Sequence, residues 1–214
     1  MTGESLASGA ACTPTRAYGL VKRALDVVAA ALALILLAPM LLGLALAIRA
    51  GSPGAALFRQ RRVGRFGRQF MMWKFRTMVR DAERRRSALI ADSREADWLN
   101  LDHDPRVTRV GRFLRRTSLD ELPQLVNVLL GDMSLVGPRP LPLAEHAHVP
   151  GWSLLRLEVR PGLTGLWQVT GRTRIPFHDM LRLDCEYVCG LSWRTDVEIL
   201  VRTVPAVLLG RGAN

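Results

Sequence analysis

Between Val27 and Ile48 the chain reads VVAAALALILLAPMLLGLALAI, 22 residues without a charge. At helical rise that run reaches about 33 Å, enough to cross a hydrocarbon core of about 30 Å. By length alone a simple spanning helix is the default. Two features oppose it. Pro39 removes a backbone donor and clashes with the preceding turn, which kinks a helix. Basic residues also flank both ends: Lys22 and Arg23 before the run, then Arg49, Arg59, Arg61, Arg62, Arg65 and Arg68 after it. Positive charge marks the cytoplasmic side of a membrane, and here both ends ask for it. A bent helix that enters and leaves by one leaflet satisfies both. On these physical grounds the spanning and re-entrant readings both stay open.

The remaining sequence suits one domain with a true core plus appendages, within 214 residues. Thirty basic residues against nineteen acidic ones give a net charge of +11, so the chain should seek anions. These could be nucleic acid, an anionic membrane face or phosphorylated substrates. Only Lys22 and Lys74 are lysines; the other basic residues are arginines, which fork onto phosphate. Three cysteines, Cys12, Cys185 and Cys189, suggest neither a disulfide framework nor a zinc site. Cys185 and Cys189 read as small apolar residues one helical turn apart, in a reducing compartment.

Residues 1–18 read as a disordered polar tail and not as a signal peptide. Residues 19–50 hold the membrane segment, and 51–214 a cytosolic catalytic domain. GSPG at 51–54 is a turn signal. Two Phe-, Val- and Trp-rich runs flank Gly64-Arg65-Phe66-Gly67, which predicts a β-hairpin. Residues 79–100 read as a charged, exposed helix and loop. Residues 119–130 show helical apolar spacing, and 131–142 form a proline-stiffened loop. The stretch 160–172 reads as loop and short strand. Residues 193–209 form a helix with Ser192 as N-cap, placed to cover the core or lie on the membrane surface. The fold class is therefore α+β and mainly helical: a membrane helix, a β-hairpin and a small membrane-associated domain.

The densest chemical cluster is RRTSLDELPQL at 115–125. Ser118 to Glu121 matches a capping box, and acids favour a first helical turn in any case. Pro123 opposes this, because a helix opening at that proline leaves Asp120 and Glu121 outside it. One carboxylate could then attack phosphorus, forming an acyl phosphate that splits one transfer into two. An anionic nucleophile approaching a phosphoryl group needs cations beside it, and Arg112, Arg115 and Arg116 lie just upstream. The neighbouring carboxylate could hold Mg²⁺, which takes one or two carboxylates with substrate phosphate and water.

The blocks KRALDVVAAALALILLAPMLL, SPGAALFRQRRVGRFGRQF, WKFRTM, DPRVTRVGRFLRRTSLDELPQLVNVLLGDMSLVGPRP and RPGLTGLWQVTGR follow one another in this order. Together they resemble a bacterial sugar transferase of the monotopic phosphoglycosyltransferase family, from about residue 19 to residue 210. The resemblance implies transfer of a sugar-1-phosphate from a UDP-sugar to a polyprenol phosphate, undecaprenyl phosphate being the expected carrier. UMP would leave and a surface glycan would begin. It implies Asp120 as the nucleophile of a phosphosugar-enzyme intermediate and Glu121 as the Mg²⁺ residue. Lys74 of KFR, Arg139 of PRP and Arg115 fall at active-site positions. Arg160, Gln168 and Arg172 would hold substrate. Pro39 falls where the family breaks its membrane helix, so the resemblance favours the re-entrant reading. Ala38 stands where a Ser is frequent, which leaves the kink geometry open. The implied location is the cytoplasmic membrane of a bacterium, with the catalytic domain on the cytosolic face. A homodimer is neither required nor excluded.

The rival from another class is a basic membrane-bound adaptor without enzymatic activity. It has no use for Asp120-Glu121 among arginines or for Arg139 between two prolines. A nucleic-acid partner is not expected, since no helix-turn-helix, zinc-finger or RNA-binding pattern occurs.

Overall fold

A computed structural model describes residues 15–82, 84, 104–171 and 175–208. Its first element is a helix of 36 residues, α1 (Arg16–Gly51). Thr15 caps it by accepting the Tyr18 N–H, so the helix starts at residue 16 and the sequence-derived tail is too long at 18. Pro39 lies inside α1, and the helical backbone continues on both sides. The proline therefore costs a hydrogen bond without dividing the element in two. Only Asp26, Ala30 and Ile48 of α1 are buried. Among the described residues it is the one helix long and apolar enough to cross a membrane.

The expected hairpin forms from β1 (Leu57–Val63) and β2 (Gln69–Phe75), paired antiparallel with Leu57 opposite Phe75 and Val63 opposite Gln69. Its loop puts Phe66 and Gly67 at φ of 56° and 73°. The following charged segment lies almost wholly outside the described residues. A short helix, α2 (Arg109–Arg116), is capped by Thr108, whose hydroxyl accepts the Gly111 N–H at 2.9 Å.

The apolar run 119–130 is not one helix. Leu119–Glu121 forms a separate 3₁₀ turn, and α3 spans Gln124–Leu130. Pro123 explains the division, since it favours the start of a helix and disrupts its interior. Ser118 has φ 55° and its side chain makes no capping bond, so the capping box is not built.

The proline-rich loop hides a strand that the sequence did not announce. β3 (Ser134–Val136) pairs in parallel with β4 (Gly162–Thr164). The two backbones approach so closely that a Cβ on Gly162 would meet the Gly137 nitrogen at 2.1 Å. Glycine is required there for the two loops to meet. After β3 come α4 (Leu143–His146) and a 3₁₀ segment at Gly151–Leu157. Then follow α5 (Leu166–Thr170), α6 (Phe177–Cys189) and α7 (Trp193–Leu208). Ser192 caps α7 as expected, accepting the Thr195 N–H at 3.1 Å. Cys185 and Cys189 lie one turn apart on α6.

Apolar side chains join these pieces. Ala30 of α1 packs with Met72, Leu125, Val128 and Met133, while Ile48 packs with Phe75 and Leu114. Both halves of α1 thus rest on the same domain. Polar bonds repeat the pattern. Lys22 pairs with Asp196 at 2.7 Å, and Asp26 accepts the Leu135 N–H at 3.1 Å. At the far end Arg76 donates to the Ser52 carbonyl at 2.7 Å.

Candidate active site

β2 delivers Lys74, and a single buried amide fixes that strand against α3. Asn127, fully buried, accepts the Trp73 N–H at 3.0 Å and donates to the Met71 carbonyl at 2.8 Å. It thereby satisfies two backbone groups on the strand edge that has no β-partner. The 3₁₀ turn six residues before Asn127 brings Glu121 opposite. Lys74 Nζ donates to Glu121 Oε1 at 2.8 Å. Arg139 approaches the same oxygen at 3.6 Å, and its guanidinium lies 5.5 Å from the Trp167 ring. Arg62, 8% exposed, reaches the Pro140 carbonyl at 3.0 Å. Lys74, Glu121, Arg139, Arg62, Gln168 and Leu163 line a shared pocket.

Asp120, next to the pocket residue Glu121, does not itself line the pocket and is 8% exposed. Burial pushes its carboxyl up to about 6, and the Glu121 charge adds to the rise. Lys74, Arg115 and Arg139 act in the opposite sense. Burial likewise lowers the Lys74 ammonium, against the pull of Glu121. It brings Arg62 down to about 10, with Arg139 repelling it further. Burial of a charge is tolerated only with partners, and these groups are one another's partners. Four cations, Arg62, Lys74, Arg115 and Arg139, bear on Asp120 and Glu121, while Glu145 also bears on Arg62 and Asp104 on Arg115. Clustered cations of this kind suit phosphate oxygens.

The structure thus brings together Asp120, Glu121, Lys74, Arg115, Arg139 and Gln168. Arg115 is held by donating Nε to Thr77 Oγ1 at 3.0 Å. Arg112 and Arg116 are exposed, so only one of the three upstream arginines bears on Asp120. Helical geometry explains this, since successive residues do not share a face. Arg160 departs from expectation. Its Nε donates to the Gly131 carbonyl at 2.9 Å, at the end of α3, and its charge bears on Arg23 and Arg65. Arg172 lies outside the described residues. Sequence reasoning missed Arg62, although it alternates with Gln60 and Phe58 along one face of β1. It also passed over Asn127, whose only signal was an amide inside an apolar run.

Comparison with known proteins decides what this arrangement belongs to. The family model for bacterial sugar transferases matches residues 17–210. The chain belongs to the bacterial sugar transferase family. It is 39% identical over 200 residues to the exopolysaccharide production protein ExoY of Rhizobium meliloti, covering 91% of this chain and 88% of that one. It is 47% identical over 204 residues to a UDP-glucose:undecaprenyl-phosphate glucose-1-phosphate transferase of Caulobacter vibrioides, covering 91% and 72%. The galactosyl transferase CpsE of Streptococcus agalactiae is 42% identical over 197 residues, and this chain spans 44% of its length. Such relatives make this sugar transferase an enzyme of the phosphoglycosyltransferase type, and the adaptor reading falls away.

Proposed function

We propose that this transferase moves a sugar-1-phosphate from a UDP-sugar to undecaprenyl phosphate and so starts a surface polysaccharide or glycoconjugate. In the first step a carboxylate oxygen of Asp120 attacks the sugar-bearing phosphorus. The bond from that phosphorus to the bridging oxygen breaks, and UMP leaves. In the second step an oxygen of undecaprenyl phosphate attacks the same phosphorus and displaces Asp120. The observation that carries this reading is the buried Asp120 carboxyl, set among Lys74, Arg115 and Arg139. These cations keep an oxygen nucleophile ionised near neutral pH and offset the charge of the phosphoryl oxygens. Lys74 and Arg139, both at Glu121, stand where the donor diphosphate would enter.

Two adjacent carboxylates fit Mg²⁺, which binds few protein ligands and completes its shell with phosphate and water. Among the described residues no group of three acids, histidines or cysteines competes for that ion. Glu121 would hold it, and the ion would supply charge neutralisation at the diphosphate.

The membrane topology we infer is re-entrant, with both ends of α1 on the cytosolic face of the inner membrane. Its support is that Lys22 and Asp26 at one end and Ser52 at the other bond to one domain. A straight crossing would carry one of those ends to the opposite side. Pro39 lies near the middle and offers the bend.

The test is UMP release by purified protein in lipid with undecaprenyl phosphate and Mg²⁺, screening UDP-glucose and UDP-galactose first. Labelled donor should leave phosphosugar on wild-type protein and none on Asp120→Asn. Turnover by Asp120→Asn at the wild-type rate would end the nucleophile assignment.

A further inference from the structure

Arg139 presents its guanidinium to Glu121 from a segment that belongs to no helix or strand. Its neighbours Pro138 and Pro140 have no N–H to offer, so the carbonyls are the handles of this segment. All three are held. Pro138 O accepts the Gly162 N–H at 2.8 Å, and Pro140 O accepts Arg62 Nη1 at 3.0 Å. Between them, Arg139 O accepts Nη2 of Arg156.

That middle contact has a costly source. The Arg156 side chain is 2% exposed and its partner, the Asp184 side chain, is 1% exposed. Nε and Nη2 of Arg156 donate to Asp184 Oδ2 at 3.1 and 2.8 Å. A buried ion pair is seldom more stable than apolar side chains filling the same space. Stability alone therefore gives no reason for this pair. An apolar pair could not, however, grip a carbonyl. Burial pushes the Asp184 carboxyl up to about 6, while Arg156 and the Arg139 backbone N–H act in the opposite sense. The pair thus addresses the main chain of Arg139 from behind, and neither member lines the pocket.

We propose that Arg156 and Asp184 are positioning residues for sugar-phosphate transfer: their buried pair fixes the Arg139 main chain, and so the placement of its guanidinium over Glu121. The inference rests on the pocket being the donor-phosphate site. Displacing a substrate-positioning group by about 1 Å can cost on the order of 100-fold in rate. Arg156→Lys keeps the charge but loses the fork that holds a carboxylate and a carbonyl together. We expect it to fold with unchanged helical circular dichroism and to lose about tenfold to 100-fold in kcat/KM for the UDP-sugar. In an Arg139→Ala background the same substitution should cost less than about twofold, because its effect passes through Arg139.

An equal loss in both backgrounds would overturn the inference and leave the pair merely structural. The double variant Arg156→Met/Asp184→Leu removes both charges, so neither is stranded. It should fold and show the same loss as Arg156→Lys; wild-type kcat/KM in it would also overturn the inference. Wild-type activity in Arg139→Ala alone would remove the inference together with the pocket reading. That result is distinct from an undiminished Arg156→Lys loss in the Arg139→Ala background, which removes the inference only.

Discussion

In α1, Leu20, Ile35 and Leu36 are 73%, 70% and 78% exposed, whereas the carboxylate residue Asp120 is 8% exposed. One region turns large apolar side chains outward; the other draws an ionisable group in. Either arrangement taken alone is unfavourable. Exposed apolar surface on this scale marks a missing apolar phase, and a buried carboxyl needs cations. Each region calls for a partner of matching chemistry, and the proposed function supplies them: lipid for α1 and phosphate for the pocket. The enzyme joins them physically, because α3 packs on Ala30 of α1 and directly follows the Asp120 turn. The contrast teaches that burial here does not follow side-chain polarity alone: apolar residues of α1 lie outside while a carboxyl lies inside.

The sharpest way to break the contrast is to remove the buried charge. Asp120→Asn should lower kcat by at least about 1000-fold while the protein stays folded, as read by UMP release and circular dichroism. Next is the other side of the comparison. Leu36→Asp places a charge in the outward face of α1, at a cost of roughly 2.5–3.5 kcal/mol if that face lies in lipid. Flotation with vesicles should then show a membrane-bound fraction reduced by about 100-fold in partition. Unchanged flotation would put the face of α1 outside the bilayer.

A smaller effect tests the link between cations and carboxylate. The proposed nucleophile must be ionised, and the Asp120 carboxyl is pushed up to about 6, so kcat/KM should fall as pH drops through that value. Its folded value lies above the ordinary 3.8, so the sign for stability is opposite. Stability from this group is present at low pH and is lost as pH rises from about 4 to about 6. Lys74→Met removes a charge that lowers the Asp120 carboxyl, and should move the acid limb of kcat/KM to higher pH. A limb that stays in place would separate Lys74 from Asp120. The smallest effect belongs to the start of α1. Thr15→Ala removes its cap and should lower stability by about 1 kcal/mol, measured by thermal unfolding.

Much of this was legible beforehand, for particular reasons. The hairpin declared itself through two β-rich runs around Gly64 and Gly67, and Ser192 marked the start of α7. Pro123 signalled correctly that Asp120 and Glu121 stand outside α3. A short strand was expected within 160–172, where β4 lies, but its partner β3 was hidden because three residues are too few for any alternation to register. Nothing in the sequence showed that the Arg160 side chain turns to the end of α3, because that contact joins residues 29 positions apart. Arg156 and Asp184 gave no signal at all, since a charged pair reads as surface until both members are seen inside.

By itself the sequence determined the local elements and the kind of chemistry available: an apolar helix with a proline, a hairpin, and acids among arginines. Those follow from short-range rules of periodicity, capping and backbone freedom, which act within a few residues. The tertiary structure alone decided that Lys74 and Glu121 meet and that a buried pair grips Arg139. Those choices depend on contacts between residues 17 to 47 positions apart. Close packing and the desolvation of charge select among them only once the chain has folded.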